Sequence, residues 1–456
     1  MKILRWLAAL AVLTAMLTVI VWLTFTRWRA EEPEWTSRSG EALDELQLGI
    51  EDFSRRYWTD AFQHFERAVE LDPEQAGSLL HLYWMSDGHD DEAAASLMQR
   101  LLELDDARLN AREQFLVAYH HARSEGDEAT AAERLATFRL EHPDDFYGLL
   151  TECNVVYRNE QWRAAEACYR RVLETFPNWG EAYDVLGFIA MAQGRFDEAE
   201  ESFRAYRFVA PDMATPYSSL GQLQILLGAY DEAQKTLLQA LRIKSDYCEA
   251  MIHLARLYTL SDAAGDALEV VDRLDAEPAC SWYQEMGIVC STRAMVMHWS
   301  GRDERAQEIL DGGCFERREG FDLTAHRLAV LGGDLERAFA IEDIVRQRAA
   351  ATGESENDSL DENGALLAHL QGVRQLATDD LPAAIESFRL ADDRLGYWNL
   401  RLGTLKTFNR LHLAEALARA GRTAEARAVY RQIEAVNPRF ARDAHLPGFE
   451  THLGRL

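Results

Sequence analysis

The sequence predicts an all-α protein, a solenoid of helix-turn-helix repeats preceded by one N-terminal transmembrane helix. Three observations predict it. First, Tyr183, Leu186, Gly187, Gly194, Phe196, Ala199, Phe203 and Pro211 are answered 34 positions later by Tyr217, Leu220, Gly221, Gly228, Tyr230, Ala233, Leu237 and Ser245. Second, the interval persists: Ala131, Ala165, Ala199, Ala233 and Ala267 stand 34 apart, and Pro143, Pro177 and Pro211 keep the same step. Third, Trp6 to Phe25 holds no charged residue.

Each repeated position has a physical reason. Tyr183, Leu186 and Ala190 fall three and four apart, so they line one face of a first helix. Gly194 ends that helix. Asp197 and Glu198 open a second one, where negative charge suits the exposed amides and the dipole. Ala199, Phe203 and Tyr206 form its inward stripe: small Ala199 lets the two helices approach, and Phe203 fills the space beside it. Pro211 stops the helix. One such hairpin cannot bury its apolar face alone, so neighbouring copies must stack.

The period and these residue types resemble the tetratricopeptide repeat, with its W-x2-L-G-x2-Y, A-x3-F and P positions. The resemblance implies a right-handed solenoid whose concave face binds peptide segments of partners. In that family positions 2, 5, 9, 12 and 13 of each first helix face the groove. Counted from Gly180 as position 1, this surface includes Tyr147, Asn154, Tyr157, Arg158, Phe188, Met191, Gln222 and Arg256. The mixture suits peptide recognition, with aromatic and Met surface for burial, amides for backbone hydrogen bonds and Arg for carboxylates. Family members that hold a chaperone's C-terminal carboxylate use Lys and Asn at positions 5 and 9. Here Asn154 fits, but Leu150 stands in the other place, which argues against a chaperone-tail receptor.

In chain order, residues 1–28 form the anchor. Twenty helical residues span roughly 30 Å, the hydrocarbon thickness of a bilayer, and Trp6, Trp22 and Trp28 lie near the ends where an aromatic belt forms. The apolar run exceeds a signal peptide's core and no A-x-A site follows it, so the helix is expected to stay uncleaved. Lys2 and Arg5 precede the span while Arg27, Arg29 and Arg38 follow it, nearly balancing the charge rule. A short N-terminus ahead of a single anchor places the array outside. In a bacterium that is the periplasmic side of the inner membrane; a cytoplasmic array is the alternative.

Residues 29–41 read as a polar linker. A repeat array follows over 42–347, with a first copy at Leu48, Gly49, Ala61, Phe65, Ala68 and Pro73 and degenerate second, eighth and ninth copies. Ala61 and Ala131 are 70 apart, two more than two periods. Residues 348–362 read as an exposed acidic loop, the stretch ATGESENDSLDENG lying across it. Repeats resume over 363–438, and 439–456 is expected to cap the end.

Forty-eight basic residues against 76 acidic ones give a net charge of −28, which argues against nucleic acid as a partner and reads as a well-solvated surface. None of the four lysines, Lys2, Lys235, Lys244 and Lys406, follows a glycine, so no phosphate loop exists; no H-E-x-x-H or G-x-S-x-G motif occurs either. The chain is therefore read as non-enzymatic and without cofactor. Adjacent His120 and His121 cannot face one way on a helix, and no metal site is expected. The six cysteines contain no C-x-x-C. Cys153 stands where its neighbouring repeats have Gly187 and Gly221 and reads as a small packing residue. Cys280 and Cys314 flank the irregular eighth copy and are the pair expected to form a disulfide in an oxidising compartment.

These features imply a membrane-anchored scaffold or adaptor that binds protein partners through the groove. The alternative is a sensory or regulatory module of a bacterial signalling system, acting through a separate protein. Oligomeric state is left open by the sequence.

Overall fold

The computed structural model describes residues 34–440, apart from 88–89, 159–160, 262, 286, 313–320, 352–361 and 398. Every regular element among the described residues is a helix. The expected anchor Trp6–Phe25 and the cap beyond residue 440 lie outside them. No described helix is long and apolar enough to cross a membrane.

The chain divides into two compact units. The first comprises Met1–Ile50 with Phe62–Glu141, the second Glu51–Ala61 with His142–Leu456. The hairpin of α1 (Gly40–Ser54) and α2 (Trp58–Leu71) is therefore shared, its turn belonging to the second unit.

In the first unit, the hairpins α3 (Ala76–Ser86) with α4 (Asp91–Leu102) and α5 (Ala111–Ser124) with α6 (Glu128–Glu141) follow. The two residues in excess of the period lie in the 103–110 connection, where Asp106–Arg108 makes a short 3-10 turn. The expected 29–41 linker is corrected over its described part. Thr36 donates from its amide and hydroxyl to the Glu113 carboxylate at 2.8 and 2.7 Å, Ser37 and the Arg38 amide bind Asp72, and Trp35 is buried. Buried carboxylates need such donors, which is why this polar stretch docks instead of hanging free.

The second unit contains the regular copies: α7 (Phe146–Arg158), α8 (Trp162–Thr175), α9 (Gly180–Ala192), α10 (Phe196–Val209), α11 (Thr215–Leu226), α12 (Tyr230–Ile243), α13 (Cys248–Leu260) and α14 (Ala264–Ala276). The inward stripe is as the spacing predicts: Ala199 and Phe203 are fully buried. A Cβ on Gly187 would sit 2.4 Å from the Phe203 ring, so the glycine is what lets the two helices close. The hairpin turns also repeat. Gly194 adopts φ +71°, the Gly194 amide reaches Met191 O and the Arg195 amide reaches Ala190 O, a helix end that needs a left-handed residue.

Beyond α14 a five-residue helix, α15 (Ser281–Glu285), precedes α16 (Ile288–Trp299), α17 (Asp303–Asp311), α18 (Phe321–Leu331) and α19 (Leu335–Ala351). Gly301 and Gly333 turn the eighth and ninth hairpins with φ +70° and +75°. The acidic loop is shorter than expected: Ala349–Ala351 continue α19, as alanine's helix preference favours, and α20 (Glu362–Ala377) begins at Glu362. Residues 352–361 lie outside the described residues. Then come α21 (Leu381–Arg394), the long α22 (Leu400–Arg419) and α23 (Thr423–Val436).

Within this unit the last repeat packs back onto the middle. The Leu400 amide donates to Gln222 Oε1 at 2.5 Å, Asn437 reaches Ile225 O and Tyr230, and Phe440 joins the core around Leu226 and Tyr230.

The cysteines correct two expectations. Cys280 is bonded to Cys248, not to Cys314, which lies outside the described residues. Cys153 is more than a spacer: it is bonded to Cys168 across the α7–α8 hairpin, where both side chains meet in the core. Cys290 is also disulfide-bonded.

Candidate functional site: a groove holding an arginine turn

The first hairpin breaks the glycine rule. Arg56 occupies the turn position with φ +59°, and the Arg56 and Tyr57 amides bind Phe53 O and Asp52 O in the same way as the glycine turns. A non-glycine residue held there costs about 1 kcal/mol or more and persists where surrounding contacts fix it.

Those contacts come from the first helices of three regular repeats. Arg56 Nη2 donates to Asp184 Oδ2 on α9 at 2.6 Å, and its guanidinium lies 5.7 Å from the centre of the Phe188 ring. On α11, Thr215 Oγ1 donates to Arg55 O at 2.5 Å, and the Ala214 amide reaches the Tyr57 hydroxyl at 3.3 Å. On α13 and its approach, Tyr247 stacks edge-on against Tyr57 at 5.6 Å, and Lys244 holds Asp60 at 2.8 Å. Thr59 donates to Ala279 O, and Trp58 meets Trp282. The disulfide Cys248–Cys280 ties together the two segments that carry these last contacts.

The slot is acidic. Burial lowers the Arg56 guanidinium, but Asp184 and then Glu249 outweigh it and hold it well above its ordinary value. Burial pushes the Asp184 carboxyl up against the pull of Arg56. Partly buried Glu181 is pushed up by desolvation to about 7, with Arg56 opposing and Asp184 adding to the rise. Glu249 accepts from Tyr247 and Tyr283 at 2.9 and 3.1 Å. Three carboxylates thus surround one guanidinium, an arrangement suited to a cationic side chain.

The expected groove residues fall into distinct environments. Phe188 is at the turn. Gln222 is taken by the Leu400 amide. Asn154 accepts from the Tyr169 hydroxyl at 2.6 Å, Tyr157 lies edge-on to Trp162 and Tyr169, and Arg158 is exposed at the end of α7. Tyr147 is buried beside Phe146. Met191 is corrected: it has no exposed surface and packs in the core with Phe203, because α9 is covered on that side. Arg256 stands apart, on the wall of a second cavity.

That cavity, of about 150 Å³, lies among α13, α16, α18, α20 and α22. Trp299, Phe408, Met295 and Leu405 supply apolar wall; Arg256, Arg327 and four buried histidines, His298, His326, His369 and His412, supply the polar groups. Among the described residues no cluster of His, Cys, Asp and Glu could hold a metal ion.

Sequence reasoning missed Arg56, although a signal was present. Arg56 precedes Gly126 by 70 residues, as Ala61 precedes Ala131, so the first copy visibly carries arginine where Gly126, Gly194 and Gly228 turn later copies; Asp379, at φ +65°, is the other non-glycine residue in that conformation among the described residues.

The repeat geometry is matched by comparison with known proteins. The tetratricopeptide-repeat family model matches residues 150–214 and 185–247, and a second model of the same description matches 409–439. Residues 150–247 and 409–439 are tetratricopeptide repeats. The described helices share their fold with a chain of the APC/C hetero-tetramer Cut9–Hcn1, at 13% identity and a TM-score of 0.51 over 87% of this chain and 74% of that one. A tetratricopeptide repeat protein from Parabacteroides merdae is 15% identical, with a TM-score of 0.39, over 65% of this chain and 98% of that one. No curated protein matches. Tetratricopeptide arrays of this kind support a protein–protein interaction scaffold.

Proposed function

We propose that this protein is a membrane-anchored adaptor whose concave groove takes an arginine-bearing segment of a protein partner, with its own Arg55–Asp60 turn occupying that place until displaced. The observation that carries the reading is Arg56 in a left-handed conformation, ion-paired to Asp184 among Glu181 and Glu249. Asn154, Tyr157 and Arg158 on α7 are the further positions that the repeat resemblance assigns to the groove. The apolar run Trp6–Phe25 supports the anchor, and the disulfides support an oxidising compartment, hence a periplasmic array.

The test is a quantitative cross-linking pull-down of the full-length protein against Arg56→Gly, Asp184→Asn and the double variant Asn154→Ala, Arg158→Ala. Arg56→Gly frees the slot and is expected to increase capture of the partner. Asp184→Asn should lose it with helicity intact. Identical partners at identical yield in all four proteins would sink the groove reading. A ligand-binding regulatory module is the second reading, favoured by the cavity among α13, α16 and α22.

A further inference from the structure

The cavity wall is chemically polarised. In Glu342 both carboxylate oxygens accept from Arg374, at 2.7 and 3.1 Å, so the carboxylate is ionised and His326 Nε2, 3.1 Å from it, carries a proton. His326 is fully buried, and its Nδ1 has no hydrogen-bond partner. Asn409 donates its amide to Phe388 O, leaving its Oδ1 to accept from His369 Nδ1 at 3.1 Å. His412 Nδ1 donates to Phe408 O at 2.9 Å, and His298 Nδ1 to Asp303 at 2.7 Å. His298, His326 and His369 each spend a proton on the protein and keep one nitrogen as an acceptor, whereas His412 Nε2 faces Arg327. Desolvation keeps His369 neutral, lowering it to about 4, and pushes His412 well below its ordinary value.

The charge in the cavity therefore comes from guanidinium. Burial lowers Arg327 only to about 10, so it stays cationic at neutral pH, and its Nη1 reaches His412 Nε2 at 3.4 Å. The carboxylates that act on it, Glu415 and Asp303, do not line the cavity. In a chain with 76 acidic residues, none of the described residues lining this space is acidic. Trp299 and Phe408, 5.0 Å apart edge-to-face, form an aromatic wall. A volume near 150 Å³ is one that admits a benzene-sized ring.

We propose that this cavity binds a small hydroxylated aromatic carboxylate: its carboxylate on the Arg327 side, its ring against Trp299 and Phe408, and its hydroxyl donating to a bare imidazole nitrogen of His326 or His369. An acceptor-only histidine set rejects a purely apolar ring, since an unmatched buried polar group is penalised, and guanidinium without a lining carboxylate selects an anion. The inference names a ligand for the second reading above, and its failure leaves the pull-down result standing.

Isothermal titration calorimetry of the full-length protein in detergent tests it with three probes: 4-hydroxybenzoate, benzoate and 4-hydroxybenzyl alcohol. Saturable one-to-one binding of 4-hydroxybenzoate is expected. Benzoate should bind about fivefold more weakly for the lost hydrogen bond, and the alcohol about tenfold or more for the lost charge-assisted pair, on the order of 1 and at least 1.4 kcal/mol. Arg327→Gln should weaken 4-hydroxybenzoate at least about tenfold. Should that variant fail to fold by circular dichroism, Thr404→Phe fills the cavity from a partly buried wall position and should abolish binding. No saturable heat with the wild-type protein, equal affinity for the alcohol, or undiminished binding in a folded Thr404→Phe would each overturn the assignment.

Discussion

Two arginines in the same unit sit in opposite surroundings. Arg56 lies among Asp184, Glu181 and Glu249 and brings its own backbone turn with it; Arg327 lies among buried histidines, and the acids that act on it do not line its cavity. In the first case carboxylates are on the array and the cation is supplied by the chain itself. In the second the cation is part of the wall. The difference teaches how to tell a filled slot from an open one: the filled slot carries strain at the intruding residue, whereas the open one carries an unspent acceptor, His326 Nδ1.

The largest expected effect sharpens this contrast by releasing the brace on the filled slot, along with the bonds of Cys153–Cys168 and Cys290. Reducing the disulfides removes loop constraints of 15 and 32 residues, worth about 3 and 4 kcal/mol in the chain-entropy picture. Calorimetry with and without reductant should show a lower Tm. Hydrogen exchange should show residues 55–60 losing protection, since Cys248–Cys280 braces their partners. Unchanged protection there would break the link between the bond and the turn.

Next is Asp184→Ala, which leaves Arg56 without its ion-pair partner. Stability in urea should fall by about 3 kcal/mol. A loss below about 0.5 kcal/mol would mean that the pair is solvated in the manner of surface ion pairs.

The third effect concerns pH. His369 has a folded value of about 4, below its unfolded 6.5, so on acidification the unfolded chain takes up the proton first and stability falls from pH 6.5 towards 4. The full depression corresponds to about 3 kcal/mol. Glu181, raised to about 7, acts in the opposite sense: the folded state takes up its proton first, adding stability as pH falls from 7 towards 4.5. Urea titrations at pH 7.5 and 5 should therefore separate the two arginine environments. His369→Gln should lessen the acid loss, and Glu181→Gln should deepen it. Identical pH profiles for both variants and the parent would refute the assignment.

Smallest is Arg56→Gly. It relieves a left-handed arginine by about 1 kcal/mol and strips buried Asp184 of its cation, a loss limited by protonation of a carboxyl that burial already pushes up, so the net change should stay within about 1–2 kcal/mol while exchange at 55–60 rises. A large loss of stability would show the turn to be a structural pin rather than a displaceable occupant.

Much of the helical organisation could be read from the sequence, because each stacking hairpin poses the same packing problem every 34 residues and answers it with the same small and aromatic positions. Gly187 under Phe203 is the plainest instance. The turn in the slot was not anticipated: Arg56 and Asp184 are 128 residues apart, and an interaction made once leaves no periodic trace. Cys153 was half understood, since its place in the repeat announced a small residue but not its bond to Cys168. The histidine cavity escaped for a similar reason. His298, His326, His369 and His412 come from four helices, and their spacing repeats no ligand motif.

The return of the last repeat to Ile225 and Tyr230 changes what kind of object this array is. An open stack can gain or lose a unit at little penalty, because each unit answers only to its neighbours. Here Asn437 meets a carbonyl 212 positions upstream, so the tally of intervening repeats is locked as firmly as the circumference of a ring. Deleting one 34-residue unit between them would misplace the closing contact by a whole hairpin. The protein should therefore tolerate substitutions inside its repeats far better than any change in how many it has.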